Sequence, residues 1–374
     1  MELIYVTNKR IPTHKAHGYQ IAKMCEAFAA RGAKVSLWVP TRVNTIEQDV
    51  FSYYDVKPVF DVRYIKSIDF IHYKILGKYS FFLQLAYFMF KMLFIRVPKD
   101  AVLYTRNPEL LFVFWLRGKK VIYEDHGWPK RTGLYLFLVK KAYKVVAITQ
   151  GIKQEYLLRN IPEEKITVAA DAVDLQTFNI AIDKTTARAK LGLPLDKKIV
   201  TYTGSFYLYK WKGVDVLLGT EPYLPENTQL VLVGGDEKEI ATIKNTFDLK
   251  KTLLFSKRPR SDIALFLKAS DVLVLPNKTG DAISEKYTSP LKLFEYMASG
   301  VPIVASSLPS ITEILSDTNA WLVQPDNAEL LAQGITSVIT NPAEAEKRAN
   351  RAFADVQEYT WEKRAARIIE YIQP

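Results

Sequence analysis

The feature that most constrains this chain is a rhythm. Short apolar or β-branched runs recur along it, each followed by a segment of helical periodicity. A strand buried on both faces reads as a continuous apolar run, and a helix between two such strands is the connection that a parallel sheet requires. In the first half the runs fall at residues 3–6, 35–39, 102–104, 120–123, 145–148 and 166–169. The rhythm then restarts at 199–203, 229–233, 253–255, 272–275, 303–305 and 321–323. The pattern predicts an α/β protein of two Rossmann-like, doubly wound domains, and 374 residues suffice for two separate cores. In the first helix, Ile21, Met24, Cys25 and Phe28 share one face, and Gly32 suits a left-handed helix end. The stretch 173–194 turns polar and irregular and reads as the interdomain linker. The expected domains are therefore 1–180 and 195–357, with 358–374 a C-terminal helix packing back onto the first.

Composition narrows the function classes. Cys25 is the only cysteine, so the sequence offers no disulfide framework and no thiolate metal cluster, which suits a reducing compartment. The first residues run straight into a strand with no basic-then-apolar leader, and the expectation is a cytoplasmic protein, at most at the inner face of the membrane. The net charge of +11 is unevenly spread. Residues 1–180 hold 27 Lys and Arg against 16 Asp and Glu, while the remainder holds 24 of each. A basic half serves nucleic acid, an anionic membrane surface or a phosphate-bearing acceptor equally well, or is simply a solvated surface. Residues 81–95, FFLQLAYFMFKMLFI, are apolar nearly all round and bordered by Lys74, Lys78, Arg96 and Lys99. They are too few, and too interrupted by Gln84 and Lys91, to span a bilayer, which leaves a buried helix or a helix seated in the membrane interface.

Three segments carry chemistry. In SPLKLFEYMASGVPIVAS, residues 289–306, a loop feeds a helix N-terminus, where unpaired amides and the helix dipole favour a diphosphate. Glu295 lies within that helix and can offer a carboxylate to ribose hydroxyls; an ordinary capped helix explains each feature singly. In VIYEDHGWP, His126 follows a strand at the carboxyl edge of a parallel sheet, where open α/β folds bind ligands, with Glu124 and Asp125 beside it to tune or cap the loop. In NKRIPTHKAHGYQ the loop after the first strand is strongly basic, through Lys9, Arg10, His14, Lys15 and His17, and Gly18 permits close backbone approach. His14 and His17 lack an evident third metal ligand. A G-x-G-x-x-G turn after an early strand and a Walker-type loop are both missing from the sequence, which weighs against dinucleotide-dependent redox enzymes and nucleotide hydrolases.

Together these segments resemble the retaining glycosyltransferases of family 4, which have the GT-B fold of two Rossmann-like domains facing across a cleft. The resemblance implies transfer of a sugar from a nucleotide-diphosphate donor to a hydroxyl of a glycan or lipid-linked acceptor, as in cell-surface polysaccharide synthesis. It implies no metal or other cofactor and no nucleic-acid partner, and the basic N-terminal half suits peripheral membrane contact. Glu295 matches the family's ribose-binding glutamate, and amides around Ser289, Pro290, Leu291 and Lys292 would meet the diphosphate. The family's other glutamate, which contacts the donor sugar, falls on Tyr287, with Glu285 as its substitute. YTGSFYLYKWKGVDVLL, residues 202–218, matches the opening of the donor domain: Gly204 is its glycine turn, and Lys212 would neutralise the departing diphosphate. Ser205 stands where many relatives carry arginine, and Arg258 is the expected replacement. His126 would position the reacting sugar, and His17 and Gly18 would line the acceptor side. These departures leave one competing reading, a non-catalytic basic membrane- or nucleic-acid-binding protein on a degenerate GT-B scaffold.

Overall fold

The structure, a computed structural model, describes residues 1–73, 77–206 and 210–373. The chain forms two compact units, one of Met1–Ile148, Ile152–Ala169 and Trp361–Pro374, the other of Thr149–Gly151 and Ala170–Thr360. Each unit holds one parallel sheet. In the first, β1 (Glu2–Val6), β2 (Lys34–Pro40), β3 (Asp61–Ile65), β4 (Val102–Thr105), β5 (Val121–Asp125), β6 (Lys144–Ala147) and β7 (Ile166–Val168) lie in the order β3-β2-β1-β4-β5-β6-β7. In the second, β8 (Lys198–Thr203), β9 (Thr228–Gly235), β10 (Thr252–Ser256), β11 (Val272–Leu275), β12 (Ile303–Ser306) and β13 (Trp321–Val323) run β10-β9-β8-β11-β12-β13. The strand order reverses between β1 and β4 and between β8 and β11. At such a switch point the loops at the carboxyl ends diverge and leave a crevice. Both sheets are doubly wound and Rossmann-like, as the sequence predicts.

Every run read from the sequence is a strand. The unread one, β3, is an edge strand whose Asp61, Arg63 and Tyr64 are exposed, so it has no apolar run to betray it. The Arg63 guanidinium lies 4.7 Å over the Trp38 ring and covers the neighbouring strand. Helix α1 (Ala16–Ala30) buries Ile21, Met24, Cys25 and Phe28, and Gly32 follows it with φ +82°.

One expectation is corrected, and of the two readings left open for residues 81–95 the wholly buried helix is set aside. The segment 173–194 packs into the second unit rather than serving as a linker, because four of its apolar side chains are buried: Val173 and Phe178 pack with Phe294 and Met297, and Ala187 and Leu193 with Phe266. Helix α2 (Ser80–Phe94) is not enclosed, since only Ser80, Gln84, Phe88 and Met92, spaced four apart, are buried. Gln84, which looked like an interruption, is as fully buried as Phe88 and Met92 and accepts the Phe70 N–H at 3.1 Å. Beside α2 in the first unit stand α3 (Pro108–Leu116) and α4 (Gly133–Val139). The second unit contributes α5 (Arg260–Ala269) and α6 (Leu291–Ser299). The last helix, α7 (Trp361–Ile372), buries Trp361, Arg364, Ala365, Ile368 and Ile372 within the first unit, Trp361 meeting Tyr19 of α1 edge-on. Among the described residues no helix is long and apolar enough to cross a membrane.

Candidate functional site

In the second unit the switch point gathers two lysines around a glycine turn. β8 runs directly into Gly204, held at φ +127°, a conformation that only glycine adopts readily. A Cβ there would lie 3.2 Å from Lys292 Nζ, so the missing side chain makes room for that ammonium. Lys292 occupies the first turn of α6, and its Nζ is buried without a hydrogen-bond acceptor among the described residues, 3.7 Å above the Tyr202 ring. Burial, and then the charge of Lys212, hold its pKa well below the usual lysine value. Lys212 donates to Ser205 Oγ at 2.6 Å, and Tyr202 donates its hydroxyl to the Ser205 carbonyl at 3.1 Å. Ser205 therefore orients Lys212. The first turn of α6 contains no acidic side chain, and its N-cap, Pro290, gives no side-chain cap. A buried cation, a second ammonium and an uncapped helix N-terminus thus converge where a diphosphate would satisfy all three.

The remaining donor-side residues divide. Glu295 is buried on α6 and paired through Oε1 with Arg260 Nη1 at 2.6 Å. Arg258, expected to supply a positive charge, lies exposed before α5; Arg260, just past Pro259, is carried by the helix to Glu295. The signal that separates the two arginines is the proline, which favours the first turn of a helix behind it. Glu285 accepts the Gly280 N–H at 2.7 Å, so its carboxylate closes its own loop, and Tyr287 is buried. Ser289 is also buried, its hydroxyl accepting the Asp171 N–H at 2.9 Å. Within the matched stretch 202–218, residues 207–209 lie outside the described residues. The end of that stretch is clamped: a Cβ on Gly213, at φ +69°, would fall 1.7 Å from the Pro276 carbonyl.

In the first unit β5 delivers His126. Glu124 is the buried centre of its surroundings, hydrogen-bonded to the Tyr104 hydroxyl and to His126 Nε2, with the Arg364 guanidinium of α7 at 3.3 Å. Burial alone would raise the Glu124 carboxyl, but Arg364 and His126 outweigh it and hold the pKa well below the usual range. Burial, followed by the charge of Arg106, pushes His126 down to about 3. The neutral ring then donates from Nε2 to Glu124, which leaves the Nδ1 lone pair as an acceptor. Asp125 caps the loop, accepting from Tyr135 at 2.5 Å, Tyr156 at 2.6 Å and the Gly127 N–H at 3.1 Å. Burial raises it to about 6.

Arg106, which the motifs did not single out, follows β4 at the same sheet edge and donates to Gln20 at 3.1 Å. Its charge, behind burial, is the next cause pressing His17 down to about 3, and it also depresses Lys9. The rule that found His126, a polar residue just past a strand, applies equally to it. Gly18 has a different role from the expected one. A Cβ there would lie 2.0 Å from the Tyr54 hydroxyl, which donates to the Thr13 carbonyl at 3.0 Å, so the glycine admits Tyr54 rather than a ligand.

Residues 183–355 match the family model described as "Glycosyl transferases group 1", a stretch inside the second unit. Among curated proteins, an uncharacterized glycosyltransferase of Methanocaldococcus jannaschii is 26% identical over 59% of this chain and 57% of its own length. A D-inositol 3-phosphate glycosyltransferase of Xylanimonas cellulosilytica is 26% identical over 55% of this chain and 51% of its own. The chain thus spans little more than half the length of these relatives. Among solved structures, sucrose-phosphate synthase of Thermosynechococcus elongatus superposes on 99% of this chain and 97% of its own with a TM-score of 0.77 at 20% identity. Anabaena HepE, in complex with UDP-glucose, covers 99% and 98% with a TM-score of 0.72 at 18% identity. The chain therefore has the GT-B fold, and residues 183–355 of its second unit are similar to the group 1 glycosyl transferases.

Proposed function

We propose that this protein transfers a sugar from a nucleoside-diphosphate donor, bound by the second unit, to a hydroxyl of an anionic, glycan or lipid-linked acceptor bound by the first. The observation that carries the reading is the buried Lys292 ammonium, which lacks a hydrogen-bond acceptor and has Lys212 nearby at the open end of α6. That HepE holds UDP-glucose on the same fold makes a uridine donor the first to try. The reaction breaks the bond from the anomeric carbon to the diphosphate and forms one to the acceptor oxygen. Lys212 and Lys292 neutralise the leaving group, a role fixed cations fill without a metal. His126, with a pKa of about 3, is too weak a base for the acceptor proton near neutrality, so that proton passes to the departing diphosphate. His126 instead accepts a hydrogen bond through Nδ1 and positions the sugar. Retention of configuration and a role in cell-surface glycan synthesis rest on the family 4 resemblance. Lys9, His17 and Arg106 favour a phosphate-bearing acceptor. The reading as a non-catalytic binding protein is not favoured, since both relatives carry glycosyltransferase names.

The test is release of nucleoside diphosphate from UDP-, GDP- and ADP-sugars, with and without a polyprenyl phosphate acceptor. Lys212→Ala is expected to lower turnover about 100-fold with little change in KM. Wild-type turnover in that variant, or no release from any donor, would remove the assignment.

A further inference from the structure

We propose that the outer face formed by α2, α3 and α4 seats the protein on the surface of an anionic lipid bilayer. The proposal is independent of the donor chemistry and stands on the first unit alone. Because α2 buries a single stripe, the rest of its apolar surface is left outward: Phe82 is 64% exposed, Phe90 57% and Phe94 74%. The surface continues across α3. Arg117, just past α3, donates to the carbonyls of Met92 and Ile95 at 2.5 and 2.6 Å, which pins the end of that helix to the end of α2 and sets Trp115 and Leu116, both exposed, beside it. From there Lys141 bridges to α4, its ammonium 3.9 Å over the Trp115 ring and 5.0 Å over that of Phe137. On α4, Leu134 is 73% exposed. Three adjacent helices thus share one apolar outer face, and a patch of that kind marks a binding surface.

Charge selects the occupant. No Asp or Glu occurs from residue 70 to 99 or from 126 to 154, while Lys78, Arg96, Lys99, Lys130, Arg131 and Lys140 are exposed there. A second copy of the chain would bring the same positive rim against this one, and an anionic surface would meet it with opposite charge. Aromatic side chains with lysines folded over them suit the boundary between headgroups and acyl chains, where the ring is buried and the ammonium stays wet. The helices would lie in the plane of that boundary.

The experiment is flotation of the full chain with vesicles of phosphatidylcholine, with and without phosphatidylglycerol. Binding is expected only to the anionic vesicles, falling with added salt. It should drop about tenfold or more in Phe82→Glu/Phe94→Glu and in Arg96→Glu/Lys140→Glu. The melting shift that UDP produces should be unchanged in both, which separates this surface from the donor site. Failure of the wild type to float with phosphatidylglycerol, or undiminished flotation of the double phenylalanine variant, would overturn the proposal. So would self-association that Phe82→Glu/Phe94→Glu abolishes without any vesicle binding, since the face would then belong to a second copy.

Discussion

An ammonium buried without an acceptor among the described residues burdens the folded state, and Lys292 keeps one beside a second cation, with the Tyr202 ring against it, an arrangement that an arriving anion would relieve. Lys292→Met should therefore leave the ligand-free protein as stable or more stable by on the order of 1 kcal/mol, measured by urea unfolding. The same change should weaken nucleoside-diphosphate binding about 100-fold. Because the pKa of free Lys292 lies below that of the anion-bound form, binding takes up a proton between those two values. Affinity should accordingly fall with rising pH, by at most about tenfold per unit, and the slope should vanish in Lys292→Met. A different test applies to His126. His126→Gln retains an N–H for Glu124 but loses the Nδ1 acceptor, so turnover should fall about 100-fold with the fold intact. A histidine lowered from 6.5 to about 3 stabilises the native state fully above pH 6.5. That contribution is lost as pH falls through 6.5 toward 3, and His126 and His17 should both add to acid destabilisation over that window, checked by unfolding at successive pH values. At this scale the sequence disclosed residue types better than partners. Lys212, Lys292 and His126 stood out because motifs flank them, whereas Arg106, Arg260 and Arg364 did not, because what each touches is distant in sequence: Gln20, Glu295 and Glu124.

Elements were the most legible level, because the alternation of buried strands and helices follows from backbone hydrogen bonding and shows directly in apolar periodicity. β3 escaped since an edge strand has no need of an apolar run, and the segment 173–194 misled since four buried apolar side chains suffice to tie a polar stretch into a core. The final helix illustrates what periodicity leaves out. Its amphipathic face announces packing, but only the fold reveals that Arg364, 3% exposed, neutralises Glu124, 2% exposed. Arg364→Met should strand that carboxylate and cost about 3 kcal/mol, read from urea denaturation, while Arg364→Met/Glu124→Gln should recover much of the loss. The turn at Gly213, packed against Pro276, should be as intolerant. Gly213→Ala combines a clash with the Pro276 carbonyl and a left-handed φ, and is expected to cost at least about 2 kcal/mol in the same assay.

For the whole molecule, the uneven charge along the chain now has a structural counterpart. The balanced C-terminal part carries the stretch that matches the glycosyl transferase model, and two of its 24 cations, Lys212 and Lys292, lie around the turn at Gly204. The basic N-terminal part sets cations at the carboxyl ends of β1 and β4 and, separately, around the exposed aromatic helices. Sequence reading found the excess of charge but could not apportion it, since apportioning requires knowing which lysines share a surface. The central claim, that Lys292 and its neighbours hold a nucleoside diphosphate, is tested most directly by titration calorimetry of UDP, GDP and ADP into the wild type and Lys292→Met. Saturable binding of one of these nucleotides by the wild type and about 100-fold weaker binding by the variant are expected. Equal affinity in the two proteins, or no binding of any of the three by the wild type, would contradict it.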